Sequence, residues 1–257
     1  MRKLLLLANP GIQGVNWVPQ VFNVLARYRQ YFQSPVGGYW QDDEIIDYED
    51  IIDPKAEASW VATHIVEMTK TAEYSLIVFV GHGGVLQGEE HIQLSKGELC
   101  PISSLTDGMG YPIKRTVIID ACRTFIGVNQ QLLLEEQRTF SQTGQLLGNH
   151  CRNYYNQLIS DSNPHVELIQ STQYNMPANT TVRGTVFSDA LLNTVGGCAP
   201  LWNHFASTDQ SHQLSKTNHD VFEETRNHMG QFEQVPQIFS SDGSFTFPFF
   251  AVRRAYS

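Results

Sequence analysis

Two residues of this chain have the chemistry of a nucleophile and its proton-transfer partner. His82 sits within Gly81-His82-Gly83-Gly84, and Cys122 sits within Asp120-Ala121-Cys122-Arg123. A thiolate is the attacking species, and a neighbouring imidazole takes the thiol proton or holds the thiolate as an ion pair. Each motif directly follows a short apolar run, residues 75–80 and 116–120, of the kind a strand buried on both faces carries. In open parallel sheets, ligands bind outside the carboxyl ends of the strands. If these two strands are neighbours, their ends lie about 5 Å apart, near enough for imidazole and thiol to meet. Glycines on both sides of His82 allow close backbone approach, and the Gly83 N–H would face a developing oxyanion.

Either residue alone carries little. A cysteine after a buried strand is usually an inert small hydrophobe, and a histidine in a glycine-rich loop is usually structural or solvated. The pair gains its force from lying at the carboxyl ends of consecutive core strands. Competing chemistries lack their parts. A His-Gly-Gly oxyanion loop belongs with a Gly-x-Ser-x-Gly elbow, and the sequence has none. A phosphate loop needs Gly-Lys-Ser/Thr after the glycines, where Val85-Leu86-Gln87 stands instead. His64, His82, His91 and Cys122 show no ligand-type spacing, so no metal site is expected. His204, His212, His219 and His228 lie in a polar stretch and read as solvated.

The elements that must position the pair alternate between strand and helix. Residues 3–8 read as a first strand, 17–32 as an amphipathic helix, and 41–52 as a loop with a short strand. Residues 56–72 form a second helix, 75–80 a strand, 90–94 a hairpin arm and 116–120 a third core strand. Residues 124–148, rich in Gln, Glu and Thr without a clean period, read as a flexible insertion. A helix around Cys151, Tyr155 and Leu158, a strand at 166–170, a helix at 184–195 and a polar helix at 211–229 follow. Residues 245–252, with Pro248 inside, read as an edge strand. Such alternation means an α/β fold with a mostly parallel sheet and helices on both faces.

The 257 residues suit one domain, 1–257, and a chain of this length buries about 70% of its unfolded surface without staples. A hydrophobic share of 41% with 17% charged residues excludes a disordered chain. The net charge of −9 argues against a nucleic-acid partner, which needs a Lys/Arg surface. Four cysteines at uneven spacings form neither a disulfide framework nor a zinc ribbon. The apolar run after Met1-Arg2-Lys3 is too short for a signal peptide and breaks at Asn9-Pro10-Gly11. No stretch is long enough to span a bilayer. A cytoplasmic, membrane-free protein is expected.

In this order and spacing, the His and Cys motifs resemble those of the caspase and metacaspase cysteine peptidases. That family's nucleophile motif is Gln-Ala-Cys-Arg-Gly or similar, with the histidine about 50 residues upstream; here His82 precedes Cys122 by 40. The segment 31–45, the stretch Gly184 to Leu192 and Gln234-Val235-Pro236-Gln237 are similar to elements of bacterial members, so the likeness runs over nearly the whole chain. The resemblance implies a caspase-like three-layer sandwich and a cysteine endopeptidase without cofactor, acting on protein or peptide substrates. It implies His82 and Cys122 as the catalytic pair, and the Gly83 and Cys122 N–H groups as the oxyanion hole. Asp120 stands where the family lines the P1 subsite, and an acid there favours Arg or Lys. Metacaspases add a second acid near the end of the first strand. Asn9 stands at that point here and is the further substrate-binding candidate.

A basic preference would make Arg138, the sole Lys or Arg between Arg123 and Arg152, an autoprocessing site. Bacterial relatives point to an effector of antiphage defence or regulated cell death, switched on by a partner protein or a second-messenger ligand. The alternative is a catalytically silent caspase-like scaffold serving as an interaction module.

Overall fold

The leucine run that opens the chain is buried on both sides, and the sheet grows outward from it. In the computed structural model the described residues are 1–12, 15–47, 58–94, 98–122, 145–181, 184–197, 213–230 and 232–253. In chain order the elements begin with β1 (Arg2–Asn9), α1 (Gln20–Gln33), a 3-10 turn (Asp42–Glu44), β2 (Ile45–Asp47), α2 (Ala58–Thr71) and β3 (Tyr74–Gly81). There follow β4 (Gly83–Leu86), β5 (Glu89–Gln93), β6 (Leu99–Pro101), α3 (Ile102–Thr106) and β7 (Arg115–Ala121). Next come α4 (Gln145–Asp161), β8 (Val166–Gln170), β9 (Thr180–Thr181), β10 (Gly184–Thr185) and α5 (Val186–Gly197). The chain closes with β11 (Gln213–Thr217), α6 (Asn218–His228), β12 (Gln237–Ser240) and β13 (Pro248–Arg253).

The central sheet has the order β12-β8-β7-β3-β1-β2. Its first five strands in chain order, β1, β2, β3, β7 and β8, pair in parallel, and β12 closes one edge antiparallel to β8. Alternate residues serve opposite layers. Leu4, Leu6, Val78 and Ile118 pack with α1, α4, α5, α6 and β13. Leu5, Leu7, Ile77, Phe79, Val117 and Ile119 pack with α2, α3 and the small antiparallel sheet β4-β5-β6. With both faces covered, the strands carry continuous apolar runs rather than alternation. This is the three-layer arrangement the sequence implies.

Two segments differ from their reading, and a third lies mostly outside the described residues. The polar stretch 211–229 is not one helix. Gln213–Thr217 is a strand paired with β13, and Thr217 ends it while capping α6. The Thr217 hydroxyl accepts from the Asp220 N–H, and the Asp220 carboxylate accepts from the Thr217 N–H. That reciprocal cap is a Thr-x-x-acid signal visible in the sequence, and it marks where helix begins. β12 was not expected, and it is this strand, not β13, that edges the main sheet. The region 124–148 falls outside the described residues up to 144, while Gln145 already opens α4.

Candidate active site

The registers decide what meets at the top of the sheet. β3 and β7 are neighbours, and their last paired residues are Gly81 and Ala121. His82 and Cys122 therefore leave adjacent strands at the same level, one residue beyond the ladder, with the strand spacing near 4.8 Å. Gly83 begins β4 directly against this point. A Cβ there would lie 2.9 Å from the His91 oxygen, 3.0 Å from the Ala121 Cβ and 3.1 Å from the Cys122 oxygen. Only glycine fits between the two motifs.

His82 is held at both ends. Its backbone carbonyl accepts from the Gln93 N–H at 2.8 Å, which ties it to β5. Its ring Nε2 lies 2.8 Å from the Asn16 carbonyl oxygen and 3.3 Å from that of Pro10. Carbonyl oxygens only accept, so Nε2 carries the proton and Nδ1 of the neutral ring is left as the base. Gly11 lies so close that a Cβ on it, at a φ of +88°, would sit 2.6 Å from Nε2.

Cys122 is half-buried. Its Sγ accepts from the Ala178 N–H at 3.4 Å and points its own proton toward the Ala178 carbonyl at 3.7 Å. Burial pushes the thiol above its ordinary value; the Ala178 N–H pulls it down, and the nearby Asp120 charge adds to the rise. In this arrangement the thiol form of the sulfur is favoured. The loop bearing Ala178 is clamped by Gln234. Its Nε2 donates to the Ser171 carbonyl at 2.7 Å, and its Oε1 accepts from the Asn179 N–H at 2.8 Å.

Asp120, two residues before the thiol, is fully buried on the α1 and α5 side. Its Oδ2 accepts from the hydroxyls of Thr185 and Ser188, and Ser188 also meets the Tyr28 hydroxyl at 3.0 Å. Thr185 in turn accepts from the Ser188 N–H, so the carboxylate stands at the N-terminus of α5. Burial raises the carboxyl to about 6, the hydroxyls working against that rise. Asn9 is also buried, and its amide bonds to backbone: Nδ2 donates to the Gln93 and Leu94 carbonyls, and Oδ1 accepts from the Gly11 N–H.

Sequence reasoning thus finds His82, Gly83, Asp120 and Cys122 at one sheet edge with Asn9 one strand away, in register with Gly81. It misses what holds them. The carbonyls of Pro10 and Asn16 and the backbone of Ala178 carry no residue-type signature. Thr185 and Ser188 were within reach, as hydroxyls flanking the start of a helix. Arg138 and Arg123 lie outside the described residues. Among the described residues no group of three or more His, Cys, Asp or Glu side chains could hold a metal ion. Nor is any helix among them long and apolar enough to cross a membrane.

The structure is similar to caspase-1 from Spodoptera frugiperda, at 13% identity and a TM-score of 0.51, over 93% of this chain and 85% of that one. It is similar at 13% identity and 0.52 to a protein of Geobacter sulfurreducens, over 93% of this chain and 92% of that one. These likenesses concern the fold. No curated protein matches the sequence. The model of the caspase domain matches residues 46–248, most of the chain and both motifs. This chain belongs to the caspase domain family of cysteine-type endopeptidases.

Proposed function

We propose that Cys122 and His82 work as a catalytic dyad in peptide-bond hydrolysis, with Asp120 at the base of a subsite for a basic P1 side chain. One observation carries the reading: Gly81 pairs with Ala121, so His82 and Cys122 leave adjacent strands at the same level, beside a glycine that alone fits. The Nε2 proton is committed to carbonyl oxygens, so Nδ1 receives the thiol proton as Sγ attacks the scissile carbonyl. The tetrahedral oxyanion is met by the N–H groups of Gly83 and Cys122. His82 then gives its proton to the leaving amine, which departs as the acyl-enzyme forms. A water, deprotonated by the same Nδ1, hydrolyses the thioester and returns the thiol.

Asp120 supports the basic preference through its charge and its place two residues before the nucleophile. An arriving guanidinium or ammonium would draw the carboxyl, now near 6, into its ionised form. One such charge-assisted bond contributes about 1.5–3 kcal/mol, or roughly 10- to 100-fold in kcat/KM. The same preference supports cleavage after Arg138 by a neighbouring molecule. A role in antiphage defence or regulated cell death, triggered by a partner or second messenger, rests on family likeness alone. The test is a panel of fluorogenic peptides differing at P1, run on wild type, Cys122→Ala and His82→Ala. Arg and Lys peptides should be cleaved fastest by wild type, and by neither variant. A panel led by P1 Asp would remove Asp120 from the subsite.

A further inference from the structure

We propose that Asn9 is the positioning residue for His82, fixing from one buried amide both peptide segments that orient the imidazole. The proposal rests on His82 as the acid–base group, and it gives Asn9 a different task from lining the substrate pocket. β1 ends at Asn9, whose Cα partner is Gly81, the residue before His82. The strands touch so closely here that a Cβ on Gly81 would lie 2.4 Å from the Asn9 oxygen.

The Asn9 side chain then reaches in two directions. Its Nδ2 donates to the carbonyls of Gln93 at 2.5 Å and Leu94 at 3.0 Å. Gln93 is the residue whose N–H holds the His82 carbonyl. Its Oδ1 accepts from the Gly11 N–H at 2.8 Å. Gly11 lies within the segment whose Pro10 and Asn16 carbonyls take the Nε2 proton. That segment is braced internally too, because Asn16 Oδ1 accepts from the Ile12 N–H and the Pro10 carbonyl accepts from the Val18 N–H. One side chain thus joins the strand that holds the histidine's backbone to the loop that selects its tautomer.

The chemistry demands an amide. Both N–H donors meet carbonyls and the oxygen meets an N–H, so no donor is left over for a ligand. A carboxylate at this place would set a negative charge against two carbonyl oxygens and leave them unpaired. If Asn9 served instead as a weak stand-in for a second P1-binding acid, Asp would improve it. The two roles therefore make opposite demands on Asn9→Asp.

The experiment pairs steady-state kinetics on an Arg-P1 and a non-basic-P1 peptide with 15N NMR of the histidine side chains. The His82 signals are assigned by their loss in His82→Ala. Asn9→Asp is expected to lower kcat by about tenfold or more with KM changed less than about threefold, equally for both peptides. The Nε2–H pattern of His82 should weaken or broaden in the same variant. Asn9→Ser, which keeps one donor and adds no charge, should fall between, and it decides the matter should Asn9→Asp not fold. Unchanged kcat, or a KM that falls for the Arg peptide alone, would overturn the proposal. Should wild type show no Cys122-dependent cleavage, the dyad reading fails by itself. The NMR arm still judges Asn9, since an unaltered His82 tautomer in folded Asn9→Ser would refute its role.

Discussion

The two ends of the central sheet carry the same residue types and use them in opposite ways. At the amino ends of the strands the buried ionisable side chains are held by several partners each. Arg115, fully buried, donates to the Ser75 and Thr69 hydroxyls and to the Leu105 and Asp107 carbonyls. Burial lowers its guanidinium to about 10, within reach of no titration at neutral pH. Arg2, stacked 4.2 Å over Trp40, shares Glu44 with Arg152. Glu167 accepts from His165, Asn218 and the Thr246 and Phe247 N–H groups. At the carboxyl ends, among the described residues, the thiol of Cys122 has two weak contacts with Ala178, and Asp120 is buried against hydroxyls with no cation bonded to it. The amino end spends its polar groups on folding, whereas the carboxyl end keeps groups whose burial is unfavourable, as functional sites do.

That contrast can be broken first at the amino end. Glu167→Ala strips the buried His165, Asn218 and Phe247 donors, and the Thr246 N–H beside them, of their acceptor. It should lower stability by about 3–5 kcal/mol, read from urea denaturation, while the dyad at the far end of the sheet stays in place.

The carboxyl end should respond in the opposite sense. Asp120 has a folded value near 6 against an ordinary 3.8, so the native state binds more protons between those values and loses stability as pH rises through them. Its charge therefore costs up to about 3 kcal/mol at neutral pH. Asp120→Asn should be as stable as wild type or up to about 2 kcal/mol more so at pH 7.5. That advantage should vanish below pH 4, and the preference for basic P1 should go with it. A loss of several kcal/mol at neutral pH would show Asp120 to be a structural residue like Glu167.

The smallest effect concerns His165. Burial works against its charged form, but the Glu167 carboxylate and the Asn163 carbonyl prevail and raise it above the ordinary 6.5. Its contribution is complete below 6.5 and is lost as pH rises through the folded value. The urea midpoint should drift down above pH 6.5 in wild type, and this component should be absent from Glu167→Gln.

How much of this was legible follows from what burial does to sequence. Strands covered on both faces must be apolar throughout, so Leu4 to Leu7, Leu76 to Val80 and Val117 to Ile119 announce themselves. His82 and Cys122 stand out because they end such runs beside glycine or alanine. The strand Gln213–Thr217 is partly exposed and polar, without the alternation that separates strand from helix, and so it reads as part of α6. Asn9 and Gln234 bond to backbone groups far along the chain, and Ala178 meets the Cys122 sulfur through its own backbone. Residue type alone does not reveal such partners, and here register does.

Covalent capture of the thiol tests the central claim most directly. An Arg peptide carrying a thiol-reactive ketone should add once per chain, at Cys122, as located by mass spectrometry. His82→Ala should slow the reaction by about a hundredfold or more. Cys100 and Cys151 are buried, and burial holds the first near 11 and raises the second, so they should remain unmodified. Folded Cys122→Ala that still cleaves peptides at the wild-type rate, or an adduct that forms equally fast without His82, would contradict the account.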